Sequence, residues 1–261
     1  MSKGRSVPSF CVDGSSSLRK GDARVSEFGF GNEGEGGSPS GFPFRIALHE
    51  EVASTNDEVK RALEAGEPEG LVVRALRQVS GYGRQGRSWT SPEGGLYCSL
   101  LLRPQVAPRE LPTLSLVVGM AVRRALVALA GARAEEAVRI KWPNDVVVNG
   151  KKICGILTEM SAEMTGIHYL VIGTGINTNV EEFPEEIQSV ATSLIKELGE
   201  KVNRAELIAA CLKYFEEYYE KYIAAGNLAP LKEDYEALLL NRNNKVRVLE
   251  PNHEYTGLSL G

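Results

Sequence analysis

A glycine-rich segment with two arginines is the part of the sequence best suited to bind a charged ligand. It reads Gly-Tyr-Gly-Arg-Gln-Gly-Arg-Ser-Trp over residues 81–89. Glycines let the backbone fold closely around a ligand, and the planar guanidinium groups of Arg84 and Arg87 match the oxygens of carboxylates and phosphates. The segment therefore predicts a loop that holds an anionic small molecule.

The same letters also satisfy the G-x-G-x-x-G pattern of dinucleotide-binding proteins, and an apolar run, Leu71 to Leu76, precedes them. The residues that follow disfavour this interpretation. Pro92, Gly94 and Gly95 stand where a phosphate-binding helix would have to begin. A flexible surface loop with solvated arginines is the second alternative.

Further along the chain, two short segments carry more charged and polar groups. Residues 141–145 read Lys-Trp-Pro-Asn-Asp, and residues 152–157 read Lys-Ile-Cys-Gly-Ile-Leu. Lys152 adds a cation to the two arginines, and Gly155 lets a ligand approach the backbone. Other residues suited to hold a small ligand are the polar Ser54, Thr55 and Gln78 and the apolar Trp89, Ile156 and Leu157.

Each of these residues also has a purely structural interpretation. Ser54 or Thr55 fits a helix cap. Lys141 and Asp145 fit an ion pair beside a proline turn, and Lys152 fits a solvated lysine at a sheet edge. The sequence leaves these alternatives open.

The elements that must position these residues follow from hydrophobic periodicity and turn signals. Thr55 with Glu58 predicts a capping box that starts a helix ending at Gly66. Predicted strands are Phe44–Leu48, Leu71–Gln78, Leu96–Leu102, Val138–Trp142, Val146–Val148, Lys152–Glu159 and Tyr169–Ile172. Further predicted helices are Glu110–Leu129, Arg204–Ala224, whose aromatic stripe suits packing, and Pro230–Leu240. Hairpin turns such as Asn149-Gly150 indicate an α+β fold with a mixed or largely antiparallel sheet and packed helices.

Composition narrows the class of protein. A formal net charge of -4 over 261 residues gives no basic field to attract nucleic acid. The four cysteines form no C-x-x-C pair and the three histidines lie far apart, so no metal site is predicted. Buried, inert thiols are expected at Cys98 and Cys154. Short apolar runs and the polar N-terminus predict a cytoplasmic protein without a membrane span.

Taken in order, these motifs resemble those of biotin protein ligases. The resemblance rests on Ser54-Thr55-Asn56, Gln78, the glycine-arginine loop, residues 141–145, Lys152 with residues 155–157, and residues 173–177. It covers roughly Phe44 to Leu240. We expect residues 1–43 to be disordered, residues 44–241 to form the catalytic domain, and residues 242–261 to begin a C-terminal β-barrel. No helix-turn-helix pattern precedes Phe44, so the DNA-binding form of the family is not predicted.

The resemblance implies an ATP-dependent ligase that converts biotin to biotinyl-5′-AMP and transfers it to a lysine of a biotin carboxyl carrier protein. ATP and Mg²⁺ would be required, and a homodimer is compatible with it. Catalysis is assigned to Arg84 and Lys152. Residues assigned to biotin are Ser54, Thr55, Asn56, Gln78, Tyr82, Gly83, Arg84, Lys152 and Gly155. Residues assigned to the nucleotide are Arg87, Trp89, Lys141 and Asn177.

The sequence departs from the family pattern at two places. Arginine is frequent in the family where this chain has Tyr82, which removes one cation from the loop. Lys245 to Gly261 supplies only the opening strands of the family's C-terminal barrel. Two alternatives follow: a lipoate-type ligase with a similar core, and a biotin- or adenylate-binding module with impaired turnover.

Overall fold

The computed structural model of the chain describes residues 24–28, 44–132, 134–163, 166–250 and 253–260. The strands are β1 (Arg24–Phe28), β2 (Phe44–Val52), β3 (Leu71–Gln78), β4 (Leu96–Leu102), β5 (Val138–Lys141), β6 (Asp145–Val148), β7 (Lys151–Glu163), β8 (Gly166–Ile176), β9 (Lys245–Glu250) and β10 (His253–Leu258). The α-helices are α1 (Thr55–Glu64), α2 (Leu114–Ala130), α3 (Ala134–Ala137), α4 (Leu194–Leu198), α5 (Arg204–Ala225) and α6 (Lys232–Leu238). Turns of 3₁₀-helix occupy Arg84–Gly86, Pro108–Thr113 and Ala229–Leu231.

Eight strands form one sheet in the order β1-β2-β3-β4-β8-β7-β6-β5. Only β2 and β3 pair in parallel within this sheet, because α1 connects them and returns the chain to the same end. The other neighbours are antiparallel and include the long β7–β8 hairpin. Asn149 and Gly150 have φ of 50° and 80°, as the tight turn between β6 and β7 requires. The predicted α+β fold around a mixed, largely antiparallel sheet is confirmed.

Helices α2 and α5 cover one face of the sheet and enclose the main core. Eleven residues of α2 are buried, since the helix is apolar on nearly every side and lies between α5 and the sheet. In α5 the buried Phe215 and Tyr219 stack with ring centroids 5.1 Å apart, and Tyr222 is fully buried. The aromatic stripe therefore serves packing, as expected.

The opposite face of the sheet is only partly covered by the residues that the structure describes. Val59 of α1 packs with Leu71 and Val73 of β3 and with Leu101 and Val171. This smaller cluster occupies the β2–β3–β4–β8 end of the sheet. The remaining part of the face, over β7 and β8, is left for the site described below.

One described helical stretch, Pro108–Ala130, has the length and apolar composition that a membrane span requires, with a mean hydropathy of 1.7. Its composition has a simpler cause. The stretch includes α2, whose side chains fill the core.

One local prediction, the capping box, needs correction. The helix after β2 has Ser54 as its N-cap and no side-chain cap, so the capping box at Thr55 and Glu58 was wrong; the Thr55 hydroxyl is bonded elsewhere. Within residues 1–43, expected to be disordered, β1 pairs antiparallel with β2; the rest of that segment lies outside the described residues. Residues Lys245 to Leu258 form an antiparallel hairpin, β9–β10, in agreement with the expectation that this segment supplies only opening strands of a barrel.

Candidate active site

A cleft of about 750 Å³ lies on the open part of the sheet. Every residue assigned to a ligand from the sequence lines it: Ser54, Thr55, Asn56, Gln78, Tyr82, Gly83, Arg84, Arg87, Trp89, Lys141, Lys152, Gly155 and Asn177. These residues come from five separate stretches of the chain. The fold therefore gathers the predicted set around one cavity.

The glycine-rich segment forms a small hairpin at the edge of this cleft. The amide of Trp89 donates to the Gly81 carbonyl at 2.9 Å, and the amide of Gly83 donates to the Arg87 carbonyl at 2.8 Å. We call residues 81–89 the arginine loop. Its tip turns through Gln85 at φ 58°, and the next regular element is β4, so the dinucleotide-binding interpretation is wrong.

Trp89 lies flat on a platform of glycines. A Cβ atom at Gly155 would lie 2.8 Å from Trp89 Cζ3, and one at Gly175 would lie 2.6 Å from Trp89 Nε1. The Lys152 ammonium is 5.1 Å from the centroid of the indole. These glycines are therefore needed for space, and the indole forms an aromatic wall of the cleft.

Lys152 is paired with a carboxylate inside the cleft. Its Nζ is 2.7 Å from Asp145 Oδ1, an ion contact whose angles do not make it a hydrogen bond. The suggested ion pair between Lys141 and Asp145 is thus replaced by one between Lys152 and Asp145. Lys141 itself is exposed at the end of β5.

A chain of side-chain hydrogen bonds fixes the polar end of the cleft. Gln78 Oε1 accepts from both the amide and the hydroxyl of Thr55, at 2.8 and 3.1 Å. Gln78 Nε2 donates to Ser91 Oγ at 2.8 Å. On the other side Ser99 Oγ lies 2.7 Å from Thr55 Oγ1 and 2.5 Å from Asn56 Oδ1. Gln78 and Thr55 are thus mutually oriented before any ligand binds.

Asn56 also reaches a charged group behind the cleft. Its Nδ2 donates to Glu159 Oε2 at 2.6 Å. A Cβ atom at Gly173 would lie only 2.3 Å from Asn56 Oδ1. A glycine is therefore needed at position 173 to leave room for the Asn56 side chain, and its role is not limited to permitting a bend in β8.

Tyr82 joins the arginine loop to the same carboxylate. Its hydroxyl lies 3.0 Å from Glu159 Oε2, 2.9 Å from Asp57 Oδ1 and 3.2 Å from Lys60 Nζ. The Lys60 ammonium in turn lies 2.8 Å from Glu159 Oε1. The Lys60 ammonium thus provides a cation beside position 82, but it comes from α1 instead of from the arginine loop.

These contacts shift the acid–base equilibria of the group. Burial and the neighbouring carboxylates raise the pKa of Tyr82 to about 12, although the Lys60 hydrogen bond opposes the shift. Burial acts to raise the pKa of Glu159, but hydrogen bonds from Lys60 and Asn56 outweigh it and the pKa falls below its usual value. The same bonds raise the pKa of Lys60 despite its partial burial. All three groups therefore keep their neutral-pH charges: anionic Glu159, cationic Lys60 and neutral Tyr82.

The sequence did not reveal every part of the cleft. The segment between β8 and α4 contributes Glu182, Phe183, Ile187, Val190 and Ala191, and the β9 strand contributes Val246, Arg247 and Val248. Asn177 anchors the first of these segments, because its Nδ2 donates to the Thr192 carbonyl at 3.1 Å. No motif marks either segment, because only long-range packing brings them to the cleft.

The three described cysteines, Cys98, Cys154 and Cys211, do not line the cleft. Burial raises the pKa of Cys98 to about 12 and that of Cys154 well above its usual value, so both thiols stay protonated. Among the described residues, no group of three or more His, Cys, Asp or Glu side chains is arranged to hold a metal ion.

Comparison with known proteins places this chain in a family. The biotin/lipoate A/B protein ligase family model matches residues 49–177. The chain is 38% identical over 219 residues to the bifunctional ligase/repressor BirA of Bacillus subtilis, covering 83% of this chain and 66% of the relative. It is 33% identical to a biotin--[acetyl-CoA-carboxylase] ligase of Mycobacterium tuberculosis, covering 77% of this chain and 73% of the relative.

Among solved structures, the chain resembles the biotin protein ligase of Aquifex aeolicus in complex with biotin and ATP. The two share 35% sequence identity with a TM-score of 0.72, over 81% of this chain and 85% of the other. The chain therefore belongs to the biotin/lipoate protein ligase family. It spans about two thirds of the length of the Bacillus subtilis relative.

Proposed function

We propose that the protein is a biotin protein ligase. It activates the carboxylate of biotin with ATP, giving biotinyl-5′-AMP and pyrophosphate, and passes the acyl group to a lysine of a biotin carboxyl carrier protein. The observation that carries this proposal is the cleft itself, which is lined by cationic residues that include Arg84, Arg87 and Lys152, by an ordered polar network and by the Trp89 indole.

The first step brings two anions together. A carboxylate oxygen of biotin attacks the α-phosphorus, and the bond to the pyrophosphate oxygen breaks. Cations placed where negative charge builds up lower the barrier for such a step. Lys152 is best placed, because Asp145 and the Trp89 ring fix its ammonium in the cleft. Arg84 and Arg87 add guanidinium groups from the loop.

The polar network supports recognition of the ligand's uncharged end. Ser54 is the N-cap of α1, Thr55 and Asn56 begin the helix, and all three residues line the cleft. Since Gln78 and Ser99 already hold Thr55 and Asn56 in place, a ureido group would meet fixed donors and acceptors. Ordering them in advance lowers the entropy cost of binding.

The second step consumes the mixed anhydride. The neutral ε-amine of the carrier lysine attacks the acyl carbon, AMP leaves, and the amine loses a proton as the amide forms. The arginine loop lies at the edge of the cleft and would hold the adenylate until the carrier arrives.

Magnesium fits this site when it is bound together with the phosphates of the nucleotide. The carboxylates that line the cleft are Asp145, already paired with Lys152, and Glu182. Mg²⁺ typically binds one or two carboxylates together with substrate phosphates. When bound it would offset phosphate charge, and either carboxylate is a suitable oxygen ligand.

Biotin-dependent exchange of labelled pyrophosphate into ATP tests the first step, and transfer of labelled biotin to a carrier domain tests the second. We expect both with MgATP. Absence of exchange in a folded sample would overturn the proposal. Competition by lipoate in the same assay separates the lipoate-ligase alternative, and biotin binding by calorimetry without product would indicate a binding module.

The location, nucleic-acid binding and oligomeric state of the protein are proposed from the sequence. We propose a cytoplasmic enzyme that does not bind nucleic acid through a global basic surface, and a homodimer is compatible with the family. Sedimentation in the presence and absence of biotin tests the oligomeric state.

A further inference from the structure

A cluster of four side chains behind the cleft connects three elements of the fold. Asp57 and Lys60 come from α1, Glu159 from β7 and Tyr82 from the arginine loop. We propose that this cluster, here called the loop latch, fixes the arginine loop over the cleft. Lys60 and Glu159 act as positioning residues and Tyr82 as the attachment point. The role toward the adenylate rests on the proposed function, whereas the attachment of the loop does not.

Glu159 is the centre of the latch because both of its oxygens are engaged. Oε1 accepts from Lys60 at 2.8 Å, while Oε2 accepts from Asn56 at 2.6 Å and from Tyr82 at 3.0 Å. Lys60 and Glu159 do not line the cleft, but Asn56 and Tyr82 do. The pair therefore influences the cleft through these two neighbours.

Tyr82 is the principal side-chain attachment of the loop on this side. Within residues 82–88, the hydrogen bonds that the structure gives from side chains to other elements are those of Tyr82. The other attachment is Trp89 on its glycine platform. Between them the tip, Arg84 to Arg87, is exposed. Without the latch, the N-terminal side of the loop should be held only by backbone hydrogen bonds to its C-terminal side.

The charge balance of the latch suits a phenol. Tyr82 has one proton and lies between two carboxylates, Asp57 and Glu159, and its oxygen accepts from the Lys60 ammonium. Lys60 is also 3.6 Å from Asp57 Oδ1. Removing the hydroxyl alone, by Tyr82→Phe, therefore breaks the connection while keeping the ring.

The test uses trypsin on the ligand-free protein, because Arg84 and Arg87 are exposed cleavage sites in the loop. Cleavage after these two residues is followed by mass spectrometry. We expect it to be about three- to tenfold faster in Tyr82→Phe and in Glu159→Gln, as for loss of a hydrogen bond to a charged group at a partly exposed site. The double variant should be no more than about twofold faster than the faster single variant, because both changes break one connection.

Two matched variants complete the test. Tyr222→Phe removes another bonded hydroxyl, 2.8 Å from Thr113 Oγ1, from α5 on the opposite face of the sheet, and should leave loop cleavage unchanged. Lys60→Met should accelerate cleavage and Lys60→Arg should restore most of the protection. Thermal unfolding of each variant separates loop release from global destabilisation. Equal cleavage of Tyr82→Phe and the parent, or additive effects in the double variant, would overturn the latch.

A second measurement links the latch to the ligand. Lys60→Met, a change at a residue that does not line the cleft, should release the biotinyl-adenylate about three- to tenfold faster, with the rate of adenylate formation within about twofold of the parent. If parent exchange is absent but cleavage responds as expected, the proposed function fails and the attachment stands. If parent exchange is present and neither cleavage nor release responds, the latch fails alone.

Discussion

At the scale of single residues, the cleft depends on side chains that are held by neighbours and on glycines that leave room for them. Lys152 is held between a carboxylate and an indole, and Trp89 occupies the space above two glycines. The identity of these residues follows from the motifs in the sequence. Their partners do not, since the sequence suggested Lys141 as the partner of Asp145, whereas the structure pairs Asp145 with Lys152.

Replacing Lys152 with alanine should slow adenylate formation far more than it weakens biotin binding. Its charge matters most where the phosphoryl transition state develops, and loss of one such group typically costs about 10²- to 10³-fold in rate. Pyrophosphate exchange and biotin calorimetry measure the two effects. The exposed neighbour Lys151→Ala is the matched control. Equal losses in rate and binding would make Lys152 a structural residue.

A methyl group at Gly155 should displace Trp89 without unfolding the protein. The new Cβ would lie 2.8 Å from Trp89 Cζ3, but the indole is only partly buried and is able to move. We expect Gly155→Ala to weaken adenylate binding about fivefold, since one aromatic contact of a partly buried ring is worth roughly 1 kcal/mol. Calorimetry measures the change. Gly257→Ala, where a Cβ meets nothing within 4 Å, should bind like the parent.

At the scale of elements, the sequence predicts best where turn residues mark both ends of a segment. Strands β3 and β4 have the predicted bounds. The β7–β8 hairpin extends beyond its prediction, because cross-strand pairing continues through residues of weak strand preference. The helix predicted over Glu110–Leu129 begins as a 3₁₀ turn containing Pro112, which has no amide hydrogen to donate.

Parts of the site lay beyond sequence reasoning for the same reason. Lys60 and Glu159 are 99 residues apart and belong to no motif, so only their packing reveals the ion pair. The segment between β8 and α4 likewise reaches the cleft through tertiary contacts. Motifs thus predicted residues that line the cleft and missed those that support them.

The arginine loop is expected to retain the reactive intermediate. Arg84 lies at the exposed tip, where a ligand phosphate would be its partner through charge-assisted hydrogen bonds. Arg84→Gly should therefore keep adenylate synthesis but release biotinyl-adenylate, so that lysines of unrelated proteins become biotinylated. Biotinylation of added serum albumin measures the release. Tight retention with unchanged carrier specificity would assign Arg84 to the solvated-arginine interpretation.

The latch gives the protein a defined dependence on pH. Because the pKa of Glu159 is lowered on folding, its contribution to stability is present above the unfolded value of 4.5 and is lost as pH falls through the folded pKa. The raised pKa values of Lys60 and Tyr82 have the opposite effect. Their contributions are present below the ordinary values of 10.5 and 10.0 and are lost at higher pH.

Between these limits, the parent should exceed Glu159→Gln in unfolding free energy by about 1 kcal/mol, the size expected for charged hydrogen bonds at a partly exposed site. Denaturant titrations at a series of pH values measure the difference. It should be constant near neutrality and shrink in acid. A difference that grows below pH 4.5 would contradict the assigned role of the carboxylate.

At the scale of the whole molecule, the cleft is enclosed by parts that are far apart in sequence. The sheet provides its floor, the arginine loop and the segment before α4 provide its sides, and the β9–β10 hairpin contributes Val246 and Val248. A ligand that fills this space would bridge all of them. Binding should therefore stabilise the fold as a whole, beyond the order it brings to one loop.

Biotin together with MgATP should raise the melting temperature of the protein. At about a hundred times the dissociation constant, a ligand that binds only the folded state adds about 2.7 kcal/mol. For a domain of this size that corresponds to a rise of roughly 5 to 10 °C. Differential scanning fluorimetry measures the shift, and lipoate at equal concentration is the comparison. As a control, Lys152→Ala should still show the shift that biotin produces without MgATP. An equal shift with lipoate would favour the lipoate-type alternative, because the polar network around Thr55 and Gln78 would then fail to distinguish a ureido ring from a dithiolane.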